Sequence, residues 1–217
     1  VSKPNTVYLE RKFNRRIRYI PNGINNTTNN DLMPQQIPQK PYIFFAAGRI
    51  YQIKGLHLVI NAIKKIKPKE TLIVAGDMEQ VSAYKDEIYK IIEGVDIDFV
   101  GLIKDKDKLM LMIKNASLFV FPSYTEAMSM MLLEVVSMKI PVIASDIPAN
   151  KAIFTENEML FFKSGSVVDL KDKLQYALTN SAKMERMAAK AFDKLEKDYL
   201  WETIARKYIN VFNNLVN

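Results

Sequence analysis

From Pro41 onward, short apolar runs alternate with stretches in which apolar residues recur every three or four positions, the pattern of strands alternating with helices. Residues 42–47 (YIFFAA) read as a buried strand, followed by a helix with Leu56, Val59, Ile60 and Ile63 on one face. Residues 71–75 (TLIVA) and 96–100 (DIDFV) predict the next two strands, with helices over 81–92 and 106–113 after them. Residues 117–121 (SLFVF) and 140–144 (IPVIA) flank a helix marked by Met128, Met131, Leu132 and Val135. Residues 159–162 (MLFF) end the strands, and three helices close the chain, marked by Val167, Leu170, Leu174 and Ala177, by residues 184–195, and by Trp201, Ile204, Tyr208, Phe212 and Leu215. Strands this uniformly apolar suit a parallel sheet covered on both faces. The expected fold class is therefore α/β, a doubly wound, Rossmann-like parallel sheet with its ligand beyond the carboxyl ends of the strands. Before Pro41 the pattern breaks down into a strand candidate at residues 17–20, a turn signal at Pro21-Asn22-Gly23, and an Asn-, Gln- and Pro-rich stretch over 24–41 that reads as a linker.

At 217 residues the chain is long enough for one full core with some excess. It has no cysteine, which excludes a disulfide framework, a thiolate metal site and a thiol nucleophile. No run reaches the roughly 20 apolar residues of a membrane-spanning helix, and no secretory apolar segment opens the chain. A cytoplasmic protein is expected. Of the formal charge of +7, much is spread over helices as a solvated face, but Lys3, Arg11, Lys12, Arg15, Arg16 and Arg18 cluster at the amino terminus. That cluster suits peripheral contact with the anionic inner face of a membrane. Nucleic acid is not an expected partner, since no reading motif is present.

Candidate chemistry sits in two places. Glu126 and Glu134 lie between the SLFVF and IPVIA strands, the first in the turn at a helix entrance. The second falls about two turns in, roughly 12 Å further along the axis. Glycosidases hold their paired carboxyl groups about 5 to 9.5 Å apart, so a hydrolytic pair is disfavoured. Either the two carboxylates grip the ends of an elongated ligand, with backbone N–H groups of Met128 to Met130 suited to a phosphate between them, or they are unrelated glutamates on a surface helix. The second place is Gly48-Arg49-Ile50-Tyr51-Gln52-Ile53-Lys54-Gly55, directly after the first strand. It is not a Walker A loop, because Ile53 and Gly55 replace the glycine before the lysine and the Ser/Thr after it, and it is not G-x-G-x-x-G. Its two cations read as anion ligands or as solvated loop charges. The single histidine, His57, shares a helix side with Asn61 and Lys64 and receives no catalytic role, and the methionines read as flexible core filling.

These residues resemble a known family. Pro122, Ser123, Glu126, Glu134, Pro141, Val142, Ala144 and Ser145 are similar to P-S-x-x-E-G-F-G-x4-E-A-x3-G-x-P-V-V-A-S, the E-x7-E signature of the retaining GT-B glycosyltransferases of family 4 (group 1). Gly48, Arg49, Lys54 and Gly55 match the family's G-R-x4-K-G. Ile20-Pro21-Asn22-Gly23 resembles its I-P-N-G-V-D segment, which leads from the acceptor domain into the donor domain. By that resemblance residues 1–41 would be the end of an amino-terminal domain and its linker, and residues 42–217 the nucleotide-sugar-binding domain with its carboxyl-terminal helices. The resemblance implies that Glu126 contacts the donor sugar and Glu134 the ribose hydroxyls. It implies that Arg49 and Lys54 neutralise the diphosphate, with Gly48, Met128, Ser129 and Met130 around it and Leu102 and Ile103 near the base. Glu126, Arg49 and Lys54 are the implied catalytic residues. The implied reaction transfers a sugar from a nucleotide-diphosphate sugar, without metal or cofactor, to a glycan or lipid-linked acceptor of the kind used in cell-surface polysaccharide synthesis. The acceptor would be held by a separate domain, without which this chain would not transfer. Three family glycines are replaced, by Ala127, Ser129 and Lys139. The rival readings are a non-catalytic nucleotide-sugar-binding subunit and a GT-B-like nucleotide-sugar epimerase.

Overall fold

The computed structural model describes residues 3–25, 38 and 41–216. Six parallel strands, β1 (Tyr42–Arg49), β2 (Thr71–Asp77), β3 (Ile97–Gly101), β4 (Leu118–Phe121), β5 (Val142–Ser145) and β6 (Leu160–Phe162), form one sheet in the order β3-β2-β1-β4-β5-β6. Helix α1 (Lys3–Phe13) precedes the sheet, and α2 (Leu56–Ile66), α3 (Ser82–Ile91), α4 (Lys106–Lys114), α5 (Met130–Ser137) and the single turn α6 (Pro148–Lys151) connect its strands. Helices α7 (Val167–Thr179), α8 (Ser181–Asp198) and α9 (Trp201–Val216) follow it.

Strand alternation divides the core in two. From β1, Tyr42, Phe44 and Ala46 join Leu132 and Val135 of α5 and Leu195 of α8 on one face. Ile43 and Phe45 join Leu56, Val59 and Ile60 of α2, Ile88 of α3 and Leu170 of α7 on the other. Each central strand is thus buried on both sides, which is why its sequence is apolar throughout and not alternating. The strand order reverses between β1 and β4. At such a switch point the connections leave in opposite directions and a crevice opens beyond the carboxyl ends of the two strands.

The amino-terminal segment departs from the sequence pattern. No strand forms at residues 17–20, and α1 occupies residues 3–13 instead. A four-residue run needs a strand edge to pair with, and the backbone pairing this segment makes lies further on. Ile24 is buried, its N–H donates to the Tyr199 carbonyl (2.9 Å), and its own carbonyl accepts from Trp201 N–H (3.1 Å). Ile24 therefore belongs to the core, while most of the expected linker, residues 26–37 and 39–40, lies outside the described residues. The helix expected from Met128 starts at Met130. Glu126 consequently sits in a non-helical loop and Glu134 about one turn into α5, so the axial separation inferred from one continuous helix does not apply.

Of the three replaced family glycines, Ala127 and Ser129 keep negative φ, whereas Lys139, in the turn between α5 and β5, sits at φ +57°. A side chain in that left-handed region costs about 1–2 kcal/mol. Lys139 regains part of it through its ammonium, 3.9 Å from the centroid of the Phe192 ring. Lys139→Ala and Lys139→Gly both remove that contact, but only glycine relieves the backbone. Thermal denaturation should find the glycine variant more stable than the alanine variant by about 1 kcal/mol. The reverse order would contradict the assignment of strain.

Candidate functional site

The two motifs leave the sheet side by side, one from β1 and one from β4. After β1 the chain makes a 3-10 turn over Gln52–Lys54 that closes on Gly55 at φ +73°. A Cβ there would stand 2.4 Å from the Pro122 carbonyl oxygen, so only glycine lets this turn lie against the loop after β4. Tyr124 N–H donates to the Ile53 carbonyl (2.8 Å) and stitches the two together. The result is an ion pair across the junction, Lys54 Nζ to Glu126 Oε1 at 2.7 Å, with side chains 24% and 15% exposed. Beside it is a cavity of about 180 Å³ lined by Gly48, Lys54, Glu126, Met128, Ser129 and Met130. A second cavity of about 80 Å³, lined by Leu102 and Ile103, adjoins it through Gly48 and Met131. Gly48 has open space where a Cβ would be, facing the region a ligand would fill. A larger cavity of about 430 Å³ lies at the opposite end of the strands, among Pro41, Glu70, Leu118 and Pro141. It is remote from both motifs and from the switch-point crevice in which ligands of such sheets bind.

The loop between β4 and α5 is anchored from below by a buried polar chain. Ser129 Oγ donates to Asn150 Oδ1 (2.6 Å), Asn150 Nδ2 donates to the Ser145 carbonyl (2.9 Å), and Ser145 Oγ donates to the Ser123 carbonyl (2.6 Å). All four residues are fully or almost fully buried. Ser129 can therefore offer a ligand its backbone but not its hydroxyl. Met130 N–H is already donated to the Met128 carbonyl (3.0 Å), so the expected row of free amides is reduced by one. Met128, Met130 and Met131 are half-buried against the core and also line the cavities, a dual placement that core filling alone does not describe.

Two predicted site residues stand apart. Glu134 lines neither cavity, and its carboxylate is paired with Lys106 Nζ of α4 (2.5 Å). Arg49, the last residue of β1, is exposed and lines neither cavity, and among the described residues no carboxylate lies within ion-pair distance of it. His57, on the helix side it shares with Asn61 and Lys64, is held between two tyrosines. Nδ1 is 2.9 Å from Tyr84 Oη and Nε2 is 3.1 Å from Tyr124 Oη, with the Tyr124 ring stacked on the imidazole at 5.9 Å between centroids. Burial lowers the His57 pKa, Glu87 partly opposing it, and burial raises that of Tyr84. Asn150, Tyr124 and Lys106 were not singled out by the sequence, since Asn, Tyr and Lys in a loop or at a helix start carry no distinctive spacing. Among the described residues no three His, Asp or Glu side chains group closely enough to hold a metal, and no helix is long and apolar enough to cross a membrane.

A profile of the glycosyl transferases group 1 family matches residues 28–194. A sulfoquinovosyl transferase of Arabidopsis thaliana is 28% identical over 177 residues, covering 80% of this chain and 33% of its own. Glycosyltransferase 1 domain-containing protein 1 of Xenopus tropicalis is 29% identical over 213 residues, 85% of this chain and 60% of its own. Among solved structures, sucrose-phosphate synthase of Thermosynechococcus elongatus shares the fold with a TM-score of 0.81 at 22% identity, over 100% of this chain and 57% of its own. Anabaena HepE, solved with UDP and glucose, does so with a TM-score of 0.71 at 16% identity, over 99% and 53%. The chain thus spans between 33% and 60% of the length of these four proteins.

Proposed function

This chain belongs to the glycosyl transferases group 1 family, and on that premise we propose that it is the donor-binding part of a retaining, metal-independent glycosyltransferase of family 4. The observation that carries the reading is the Lys54–Glu126 pair, a cation suited to a diphosphate and a carboxylate suited to sugar hydroxyls, 2.7 Å apart beside the switch-point cavity. HepE, of the same fold, was captured with UDP and glucose, and a nucleotide-diphosphate sugar is the ligand we assign to this site. In the reaction the bond from the sugar C1 to the phosphate oxygen breaks and the acceptor hydroxyl oxygen bonds to C1 on the same face. The acceptor's proton passes to the leaving phosphate. Negative charge grows on the leaving diphosphate, where a fixed ammonium at Lys54 lowers the barrier without reorganisation. Arg49 would join it only by swinging inward from the end of β1. Glu134 would exchange Lys106 for the ribose hydroxyls, and Leu102 and Ile103 would flank the base.

The cavity of about 180 Å³ is smaller than the roughly 300–1,000 Å³ of small-molecule sites. We assign the missing wall, and the acceptor, to an amino-terminal domain of the whole enzyme. Proximity of the two substrates supplies much of the acceleration of such a transfer, so the chain alone should bind donor without glycosylating acceptors.

Calorimetry of the chain with UDP in EDTA tests the reading. Binding is expected without Mg²⁺, and Lys54→Ala should weaken it roughly 10- to 150-fold, the loss of a hydrogen bond to a charged group. Glu126→Gln releases Lys54 from its partner, so bare UDP should bind at least as tightly as before while the extra affinity contributed by the sugar disappears. Binding that appears only with Mg²⁺, or equal loss of UDP affinity in both variants, would overturn the assignment.

A further inference from the structure

The single histidine is built into the donor site at one remove. His57 follows Lys54 by three residues, in the first turn of α2. Its backbone N–H donates to Tyr84 Oη (3.2 Å), and Tyr84 is buried on α3. The hydrogen-bond roles follow by counting. Tyr84 has one hydroxyl hydrogen; its oxygen already accepts the backbone N–H groups of both Leu56 and His57, which occupies both lone pairs, so it cannot accept from Nδ1 as well and its hydrogen is left for Nδ1 (2.9 Å). Nδ1 then carries no hydrogen, so Nε2 carries it and donates to Tyr124 Oη (3.1 Å). Tyr124 in turn is fixed at three points: its backbone N–H on Ile53, its hydroxyl on His57, and its ring edge against Gly165, where a Cβ would lie 3.2 Å from Cε1. Two residues further on stands Glu126.

We propose that His57 is a positioning residue for the donor site: its imidazole fixes Tyr124, whose backbone N–H holds the Ile53 carbonyl, and so keeps the turn that carries Lys54 in place for the diphosphate. The inference rests on the donor-site reading above. The imidazole touches neither cavity and is not a catalytic residue. Protonation disrupts the relay, because an Nδ1–H would leave the buried Tyr84 hydroxyl hydrogen without its acceptor. The groups facing the ring are Tyr84 and Glu87 from α3 and Tyr124 from the loop, and burial, which lowers the His57 pKa against the opposing Glu87, keeps the working neutral form in place. The sign follows: the relay is intact above the histidine pKa and is lost as pH falls through a value below the ordinary 6.5 or so.

The test is calorimetric titration of UDP, with GDP in parallel, onto the chain, His57→Ala, Tyr124→Phe and the double variant, over pH about 5 to about 8. Tyr124→Phe keeps the stacked ring and removes only a part-exposed hydroxyl, so it retains the fold even if His57→Ala does not. Each single variant should weaken UDP about 3- to 10-fold, the range of one lost hydrogen bond. The double variant should be no weaker than the worse single, because both break one link. UDP affinity of the parent should fall at low pH more steeply than that of His57→Ala. The phosphate titrates alike in both, so the difference isolates the imidazole. Single variants within about twofold of the parent, losses that multiply in the double variant, or parallel pH profiles would each overturn the proposal. If the parent binds neither UDP nor GDP, the donor-site reading itself fails, an outcome distinct from normal UDP binding that ignores His57.

Discussion

Gly55→Ala should destabilise the chain by about 2–5 kcal/mol and weaken UDP about as much as Lys54→Ala does. Two separate terms add. Glycine sits there at φ +73°, where an alanine side chain costs about 1–2 kcal/mol. The new Cβ would also stand 2.4 Å from the Pro122 carbonyl oxygen, and overpacking of this kind costs about 1–3 kcal/mol. Backbone oxygen cannot rotate away as a side chain can, so the 3-10 turn must move off the loop after β4. That movement carries Lys54 away from the place assigned to the diphosphate. A chain of this size should lose roughly 4–20 °C in Tm. Gly48→Ala is the matched control, because its Cβ would enter open space in the cavity. It should leave Tm almost unchanged yet weaken UDP, by filling the surface a phosphate approaches. A Gly55→Ala variant with parental Tm would contradict the packing described at Pro122.

The second large effect is expected at Asn150. Alanine there removes the acceptor of the Ser129 hydroxyl and the donor to the Ser145 carbonyl, all within a fully buried chain of hydrogen bonds. A buried polar group left without a partner costs about 1–3 kcal/mol. Two such groups give a loss of about 2–6 kcal/mol in denaturant unfolding. Asn150→Asp tests the direction of the bonds. A carboxylate still accepts from Ser129 but cannot donate to Ser145, and it places a charge at a fully buried position. It should therefore be as damaging as alanine despite its matching shape. An aspartate variant as stable as the parent would mean that the amide is not the donor.

Most of the sheet was legible from the residues because its strands are short, apolar on both faces and separated by helices with a clear three-to-four spacing. Strand limits fell within two residues of expectation at β4 and β5, where Pro141 and the turn residues mark the borders. Residues 17–20 misled for a physical reason: alternation indicates what a strand could bury, not whether an edge is available to pair with it. The motif residues Lys54 and Glu126 were legible, but their contact was not, since it depends on Gly55 meeting a carbonyl 67 positions later in the chain. Likewise Glu134 was legible and its occupation by Lys106 was not. The supporting residues Asn150, Tyr124 and His57 act through hydrogen bonds between distant segments, and only the folded chain brings their partners together.

On the proposed reading the β1–β4 switch point holds a nucleotide-diphosphate sugar, with Lys54 on the diphosphate and Glu126 on the sugar. A crystal structure of the chain grown in EDTA with a UDP-sugar tests it most directly. A diphosphate oxygen is expected within hydrogen-bond distance of Lys54 Nζ, with sugar hydroxyls on Glu126 and the ribose on Glu134, Lys106 being displaced. A ligand bound elsewhere, such as the cavity at the amino-terminal end of the strands, or one bound at the switch point with the Lys54–Glu126 pair untouched, would contradict it.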